Sequence, residues 1–463
     1  MPVERLGGSF RDPSGFVFTR DGVLLRQINE IHRDHWDHFV SSGLHDALVE
    51  RGLMVPAEEV GTDLAAAPGA YKVVRPEPIP FVSYPYEWSF GQLKAAALAT
   101  LEIQNLALDH GMSLRDASAY NIQWLRGKPV LIDTLSFETL REGQPWVAYR
   151  QFCQHFLAPL ALVAYDDVRL QQLSRIHIDG IPLDLASELL PKRSRMKPAL
   201  MLHLHAHAKS QLRHASDDPK ASAKGRSFGM RAFRGIIESL SSGIRGLEWD
   251  PPDSVWTEYY SDAGSYSQEG TEHKRMLVSK LIDEVAPSTV WDLGGNVGAF
   301  ARIASEKGIP TVCFEVDPGC VEQAYRDGVV AAGDQNFLPL LQDLTNPSPR
   351  IGWENTERFS LADRGPADLA MALALVHHLA IGNNVPLPRV ASFFADIAKT
   401  LIVEFVPKSD PKVRILLTSR EDVFPDYTPD GFERAFAERF TIERRESIAS
   451  SERTLYLMRR RKV

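Results

Sequence analysis

The chain has 463 residues, 44% of them apolar, with a formal net charge of −8 and three cysteines. That length points to two domains, each able to bury a core, and the acidic balance gives no reason to expect nucleic acid as a partner. Cys153, Cys313 and Cys320 lack the paired spacing of a metal site or disulfide framework, no apolar run reaches transmembrane length, and the opening MPVERLGGSFRD has no signal-peptide core, so a cytoplasmic protein without membrane contact is expected.

In chain order, SFRDPSGFVFTRDGVLLRQI reads as opening β-strands, Ile28 to Glu50 as helix, and PIPFVSYPYEWSF as a strand and hinge. Gln92 to His110 holds no Gly or Pro and is rich in Ala and Leu, which predicts a long helix. Next comes HGMSLRDASAYNIQWLRGKPVLIDTLSFE, where Asn121 follows Asp116 by five residues and Asp133 comes twelve later, after an apolar strand. One reading is an Asp-Asn turn capping a helix beside an ordinary strand. The pattern also resembles the catalytic loop of protein and aminoglycoside kinases, H-x-D-x-x-x-x-N followed by a metal-binding Asp. That resemblance implies ATP and Mg²⁺ in this half, with Asp116 accepting a hydroxyl proton and Asn121 and Asp133 holding the metal. Three departures weigh against phosphoryl transfer: Leu114 stands for the usual histidine, no second glycine completes a G-x-G-x-x-G loop, and Arg26 in LLRQI stands where a phosphate-pairing lysine is expected, with Lys72 in AYKVV as a substitute.

Between Pro191 and Arg234, eleven Lys or Arg face two acids, Asp217 and Asp218. The run ASDDPKASAKGRS within it is small and polar, so the region reads as a boundary with a solvated basic surface. HLHAH offers His203, His205 and His207, but on a helix only the first and last share a face, and no metal site is expected. The divisions read from the sequence are an α+β domain over 1–190, with a kinase-like reading and a substrate- or nucleotide-binding role, a basic linker or helical region over 191–250, and a third part over 251–463.

From about Trp256, strands and helices alternate as in a parallel sheet. STVWDLGGNVGAF, ARIASEKG and PTVCFEVDPGCVEQAYRDG make one strand, a glycine turn, a helix, a second strand and a second helix. A dinucleotide fingerprint fails here, because its second glycine would fall at Asn296 or Val297. D-L-G-G-N-V-G instead resembles the first motif of class I S-adenosylmethionine-dependent methyltransferases. An acid there also suits a cofactor that carries a sulfonium and an ammonium rather than phosphates. The resemblance assigns the cofactor to Asp292, Gly294, Gly295, Asn296 and Gly298. Glu315, closing the second strand, would take the ribose hydroxyls as a bidentate acceptor. Asp317 is its alternative, and a plain helix-capping role for Glu315 the structural one. FLPLLQDLTNPSP reads as a third strand ending at Asp343, which by resemblance would meet the adenine amino group, with Asp334 as competitor.

The fourth apolar run, Leu369 to Val376, empties into His377 and His378, either of which could serve as the base for a hydroxyl acceptor or simply pack at a helix entry. KTLIVEFVPKSD gives a fifth strand ending at Glu404, and FTIERRESIASSERTLYLMRR a closing antiparallel pair. Tyr259, Tyr260 and Tyr266 could form an aromatic lid or pack in the core. The fold expected is therefore α/β: a C-terminal Rossmann-like seven-stranded methyltransferase sheet preceded by the α+β, kinase-like domain, a two-part plan similar to that of rhizobial nodulation-type methyltransferases. The implied activity is methyl transfer from S-adenosylmethionine to a small-molecule or sugar-like acceptor, at oxygen since no N-P-P-Y signature is present. The alternatives are a bifunctional kinase-methyltransferase, a nucleotide- or dinucleotide-binding enzyme on a related sheet, and a regulatory binding protein.

Overall fold

The computed structural model of the chain describes residues 3–209, 229–252, 267–418 and 421–462. Two units form: Met1–Asp250 with Gly352–Arg358, and Pro251–Ile351 with Phe359–Val463. Trp256 and the three tyrosines of the expected lid lie outside the described residues.

The first unit opens with a five-stranded antiparallel sheet in the order β1-β2-β3-β5-β4, from β1 (Val3–Arg5), β2 (Gly15–Arg20), β3 (Val23–Asn29), β4 (Ala57–Val60) and β5 (Ala70–Pro76). Asp21 and Gly22 both have positive φ, 54° and 77°, so a two-residue turn joins β2 to β3 and sets Arg20 opposite Val23. The helix expected over Ile28 to Glu50 starts later and is broken. Ile28 belongs to β3, and α1 (Arg33–Ser41) and α2 (Leu44–Glu50) are divided at Gly43, whose φ of 76° no helix accommodates. PIPFVSYPYEWSF holds no strand; its three prolines lack the N–H that a ladder needs.

Ser89 caps α3 (Phe90–Asp109): its hydroxyl accepts from the Gln92 N–H, and the Gln92 side chain accepts from the Ser89 N–H. Apolar residues of α3 are buried on all sides, which makes it the central helix of the unit. Beyond it, β6 (Met112–Leu114) pairs with β9 (Phe137–Thr139), and β7 (Ile122–Leu125) with β8 (Lys128–Leu131). Asp116 and Asn121 thus sit between β6 and β7, and Asp133 between β8 and β9, so the two ladders fold these distant positions onto one end.

The described residues of 191–250 group with this unit. The helix Met230–Arg245 buries Phe233, Ile237, Leu240 and Ile244 along one face, packed against α3. His203 bonds the Tyr149 hydroxyl at 2.7 Å and Ser239 at 2.8 Å, while His205 bonds Ser187 at 2.8 Å and Ser194 at 2.9 Å. Hydroxyl groups therefore hold the ring nitrogens of His203 and His205. Gly352–Arg358 also belongs here: Glu357 accepts from Arg11 at 3.0 Å and from the Trp353 N–H at 2.7 Å, and the Arg358 guanidinium stands 4.3 Å over the Tyr120 ring.

The second unit is built on a seven-stranded sheet, order β12-β11-β10-β13-β14-β16-β15, from β10 (Val290–Leu293), β11 (Thr311–Glu315), β12 (Phe337–Leu341), β13 (Ala367–Ala372), β14 (Ala398–Phe405), β15 (Phe440–Ser447) and β16 (Thr454–Arg460). β10 to β14 are parallel, and β16 and β15 close the sheet antiparallel. Strand order reverses between β10 and β13, where a crevice opens at the carboxyl ends of the strands. Two strands end earlier than their apolar runs imply. β12 stops at Leu341 rather than Asp343, and β13 at Ala372 rather than Val376, because the chain turns outward there to wall the crevice. The core gathers Leu277, Val278, Leu281 and Ile282 of the helix Gln268–Val285 against Val290, Leu369, Met371, Ile402 and Leu457 of the sheet.

Candidate functional site

In the second unit a cavity of about 360 Å³ fills the crevice. Its wall includes Asp292, Gly294, Gly295, Asn296, Glu315, Asp343 and His378. The glycines of the turn after β10 have separate tasks. A Cβ on Gly295 would lie 2.4 Å from the Cys313 sulfur and 2.8 Å from Asp292 Oδ2, so a side chain there would crowd that carboxylate. Gly298 is off the wall. Its φ of 79° and the Phe337 ring, 2.5 Å from where a Cβ would be, make it the pivot into the following helix.

Glu315 ends β11, buried. Its Oε2 accepts from the Asn296 N–H at 2.9 Å, and its Oε1 from the N–H groups of Val316 at 2.7 Å and Asp317 at 3.0 Å. Burial raises its pKa above the usual carboxylate range, with the three N–H bonds opposing. Of roughly four acceptor positions on a carboxylate three are used, and the remaining one is on Oε2. Asp317, the alternative to Glu315, is off the wall: its Oδ1 accepts from Gly319 at 2.7 Å and Cys320 at 3.0 Å as the N-cap of the helix Pro318–Ala324. Helix capping is thus the task of Asp317, and the capping alternative for Glu315 falls away.

Asp292 is buried, and among the described residues its Oδ2 has no hydrogen-bond partner. Burial pushes its pKa up to about 7; Lys274 pulls it down and Glu315 pushes it further up. Asp343 is half-buried, and its Oδ1 accepts from the Thr345 N–H at 2.8 Å and hydroxyl at 2.6 Å. Asp334 is at the far end of β12, bonded to Ser305 and the Asn336 N–H, and does not reach the cavity.

The two histidines part company. His378 lines the cavity, while His377 is 1% exposed, off the wall, its ring 4.1 Å from that of His378. Burial holds the His378 pKa down at about 4, with Arg453 adding to the effect, and that of His377 well below the usual imidazole value. Both rings are neutral near pH 7.

Sequence reasoning missed Lys274, the only Lys or Arg on the wall among the described residues. Its Nζ lies 2.6 Å from Glu404 Oε2 and 4.5 Å from the Phe300 ring centre. Arg453 closes the network at 3.3 Å from Glu404 Oε1 and 2.7 Å from Asp410.

In the first unit, Asp116, Asn121 and Asp133 come together. The Asp116 carboxylate accepts from the Ser118 N–H at 2.9 Å and is hydrogen-bonded by the Gln151 and Asn121 side chains; burial and the charge of Asp133 raise its pKa. Asp133 Oδ2 accepts from the Ser136 hydroxyl at 2.6 Å; Oδ1 accepts from the Leu135 N–H at 3.2 Å and is ion-paired to Arg26. Lys72 does not substitute for Arg26, since it pairs with Glu59 at 2.5 Å. Leu114 is part of the core, its N–H bonded to Gln104 at 2.7 Å.

The second unit is thus an α/β structure with its cavity at the reversal point of a mostly parallel sheet, walled by carboxylates at three strand ends. The chain belongs to the family of nodulation protein NoeA: it is 36% identical to NoeA of Rhizobium meliloti (strain 1021) over 462 residues, 98% of this chain and 96% of that one. No protein-family model matches it. Among solved structures it is similar to magnesium protoporphyrin IX methyltransferase (ChlM) of Synechocystis PCC 6803 with bound SAH, 17% identical, covering 44% of this chain and 93% of that one, with a TM-score of 0.32. The bifunctional kinase-methyltransferase WbdD is 18% identical, with 44% of this chain and 42% of that one covered and a TM-score of 0.30. Among the described residues, no helix is long and apolar enough to cross a membrane.

Proposed function

We propose that the second unit binds S-adenosylmethionine and directs its methyl group to an oxygen of a small-molecule or sugar-like acceptor. One observation carries the reading: Asp292, buried and with no hydrogen-bond partner for its Oδ2 among the described residues, lines a cavity whose glycine turn leaves room beside that carboxylate. A buried carboxylate oxygen with no donor is costly, and a cationic ligand group offsets that cost. The residues fit this cofactor. Asp292 would receive the ammonium, Glu315 a ribose hydroxyl and Asp343 the adenine amino group, and Lys274, already paired with Glu404, would serve the cofactor's carboxylate. When bound, the cofactor supplies a methyl group on a sulfonium leaving group. The protein's part is to hold the acceptor oxygen in line, exclude water and receive a proton, for which His378 stands on the wall.

Titration calorimetry with S-adenosylhomocysteine and with NAD tests the reading. Binding of S-adenosylhomocysteine supports it, and binding of NAD alone overturns it. Incubating metabolite mixtures with labelled cofactor then identifies the acceptor by its mass shift.

A second reading, for the first unit, is favoured by the meeting of Asp116, Asn121 and Asp133 at one end of two small ladders. In this reading the unit is a kinase-like module. Loss of a bound nucleotide or acceptor in the Asp116→Asn protein tests it.

A further inference from the structure

Two carboxylates and a side-chain amide at one end of a loop-strand arrangement make an oxygen-donor set for a divalent cation. In the first unit, however, the protein's own groups hold that set. Asp133 Oδ1 accepts from Arg26 and the Leu135 N–H, and Oδ2 from the Ser136 hydroxyl. The Asn121 amide donates to the same Ser136 hydroxyl at 3.2 Å.

Arg26 is fixed in this position. It sits in the middle of β3, opposite Val17 on one side and Val74 on the other, and its side chain is only 11% exposed. A guanidinium does not deprotonate to make way for a metal, so an incoming cation would have to strand a buried positive charge. The nearby basic groups are accounted for, while Asp116 is held by hydrogen bonds from Ser118, Gln151 and Asn121. Arg115 is held by Asp12 at 2.6 Å and the Leu135 carbonyl at 2.9 Å, and burial keeps His32 neutral at physiological pH.

A second observation concerns the turn between β1 and β2, where a phosphate-covering loop would stand. Its adjacent glycines serve a different close approach. A Cβ on Gly7 would lie 2.2 Å from the Thr356 carbonyl oxygen, and one on Gly8 3.1 Å from that of Glu357. The chain's own backbone takes the space that the glycines open.

We infer that Arg26 is the resident cation of this cleft, neutralising Asp133 where a kinase-like site would carry a divalent metal, so that the first unit takes no metal-nucleotide complex and transfers no phosphoryl group. The inference rests on the kinase-like reading for the identity of the group replaced. It is independent of the methyltransferase reading.

The test is Mn²⁺ binding to the full chain, followed by the loss of the free Mn²⁺ electron paramagnetic resonance signal, with and without ADP. The proteins compared are wild type, Asp133→Asn, Arg26→Met and the Arg26→Met/Asp133→Asn double variant, each checked for folding by thermal melting. Expected are no Asp133-dependent Mn²⁺ site in the wild type, a gain in Mn²⁺ affinity of about tenfold or more in Arg26→Met, and loss of that gain in the double variant. Mn²⁺ binding by the wild type that Asp133→Asn abolishes overturns the inference and leaves the kinase-like reading standing. No gain in a folded Arg26→Met overturns both. Should Arg26→Met fail to fold, the comparison of wild type with Asp133→Asn still decides.

Discussion

Lys274 Nζ lies 2.6 Å from Glu404 Oε2, with the two side chains 4% and 0% exposed, so an ion pair removed from water sits against the cavity. Removing one member of a buried pair strands the other. Lys274→Met should therefore destabilise the protein by about 3–5 kcal/mol, whereas Lys274→Met combined with Glu404→Gln should recover part of that loss. Denaturant titration of the single and double variants measures both. Equal stability of wild type and Lys274→Met would mean that Arg453 alone satisfies Glu404.

Asp292 gives cofactor binding a pH dependence whose sign follows from its environment. Burial raises its pKa to about 7 in the ligand-free protein, with Lys274 and Glu315 as the charged groups facing it. Below that value the carboxyl is protonated, and an ammonium gains its counter-ion only after the proton is lost. Affinity for S-adenosylhomocysteine should fall as the pH drops below about 7, by up to roughly tenfold per unit, and level off above it. Asp292→Asn should bind weakly at every pH. A variant that keeps the wild-type slope would assign the titration to a different group.

What the sequence disclosed and what it hid differ by range. The glycine turn, the acid before it and the strand order are local patterns, readable because a buried parallel strand needs an unbroken apolar run and a tight turn needs glycine. Asp317 carried its own signal: Asp followed by Pro318 is a helix start, with the acid as cap and the proline in the first turn, and that pattern outweighs a ligand role. Lys274 had none, and Arg26 was marked only through the resemblance to kinases, as the residue in place of a lysine. A lysine on an amphipathic helix reads as solvent-facing, and only partners 130 residues away at Glu404 and 107 residues away at Asp133 bury these two side chains. The early end of β13 was hidden for a related reason, since Leu373, Ala374 and Leu375 beyond it are apolar to wall a cavity rather than to continue a sheet.

Glu315 links the turn to the cavity through three backbone N–H groups, and its substitution should be felt in both places. Glu315→Gln keeps the shape, removes the charge and turns an amide donor toward N–H groups. Affinity for S-adenosylhomocysteine should drop by about 1.5–3 kcal/mol, with a lower melting temperature. Calorimetry on the folded variant separates the two effects. Unchanged affinity would rule Glu315 out as the ribose ligand.

His378 and His377 allow the sharpest division between chemistry and packing, because adjacent residues with touching rings differ in access to the cavity. His378→Ala should lower turnover by about 10²-fold or more, the scale of a lost proton acceptor, while leaving S-adenosylhomocysteine affinity nearly unchanged. His377→Ala should act mainly on stability, since it empties a buried position. The pH profile adds an independent check. With the His378 pKa held near 4, its ring is already neutral well below pH 6, so turnover should show no inflection near 6.5, the ordinary imidazole value. The measurement is S-adenosylhomocysteine release against pH with the acceptor found by mass shift. An inflection at 6.5 that His378→Ala removes would mean that the bound complex exposes the ring to water, and equal losses of turnover and affinity in His378→Ala would reduce the residue to a part of the wall.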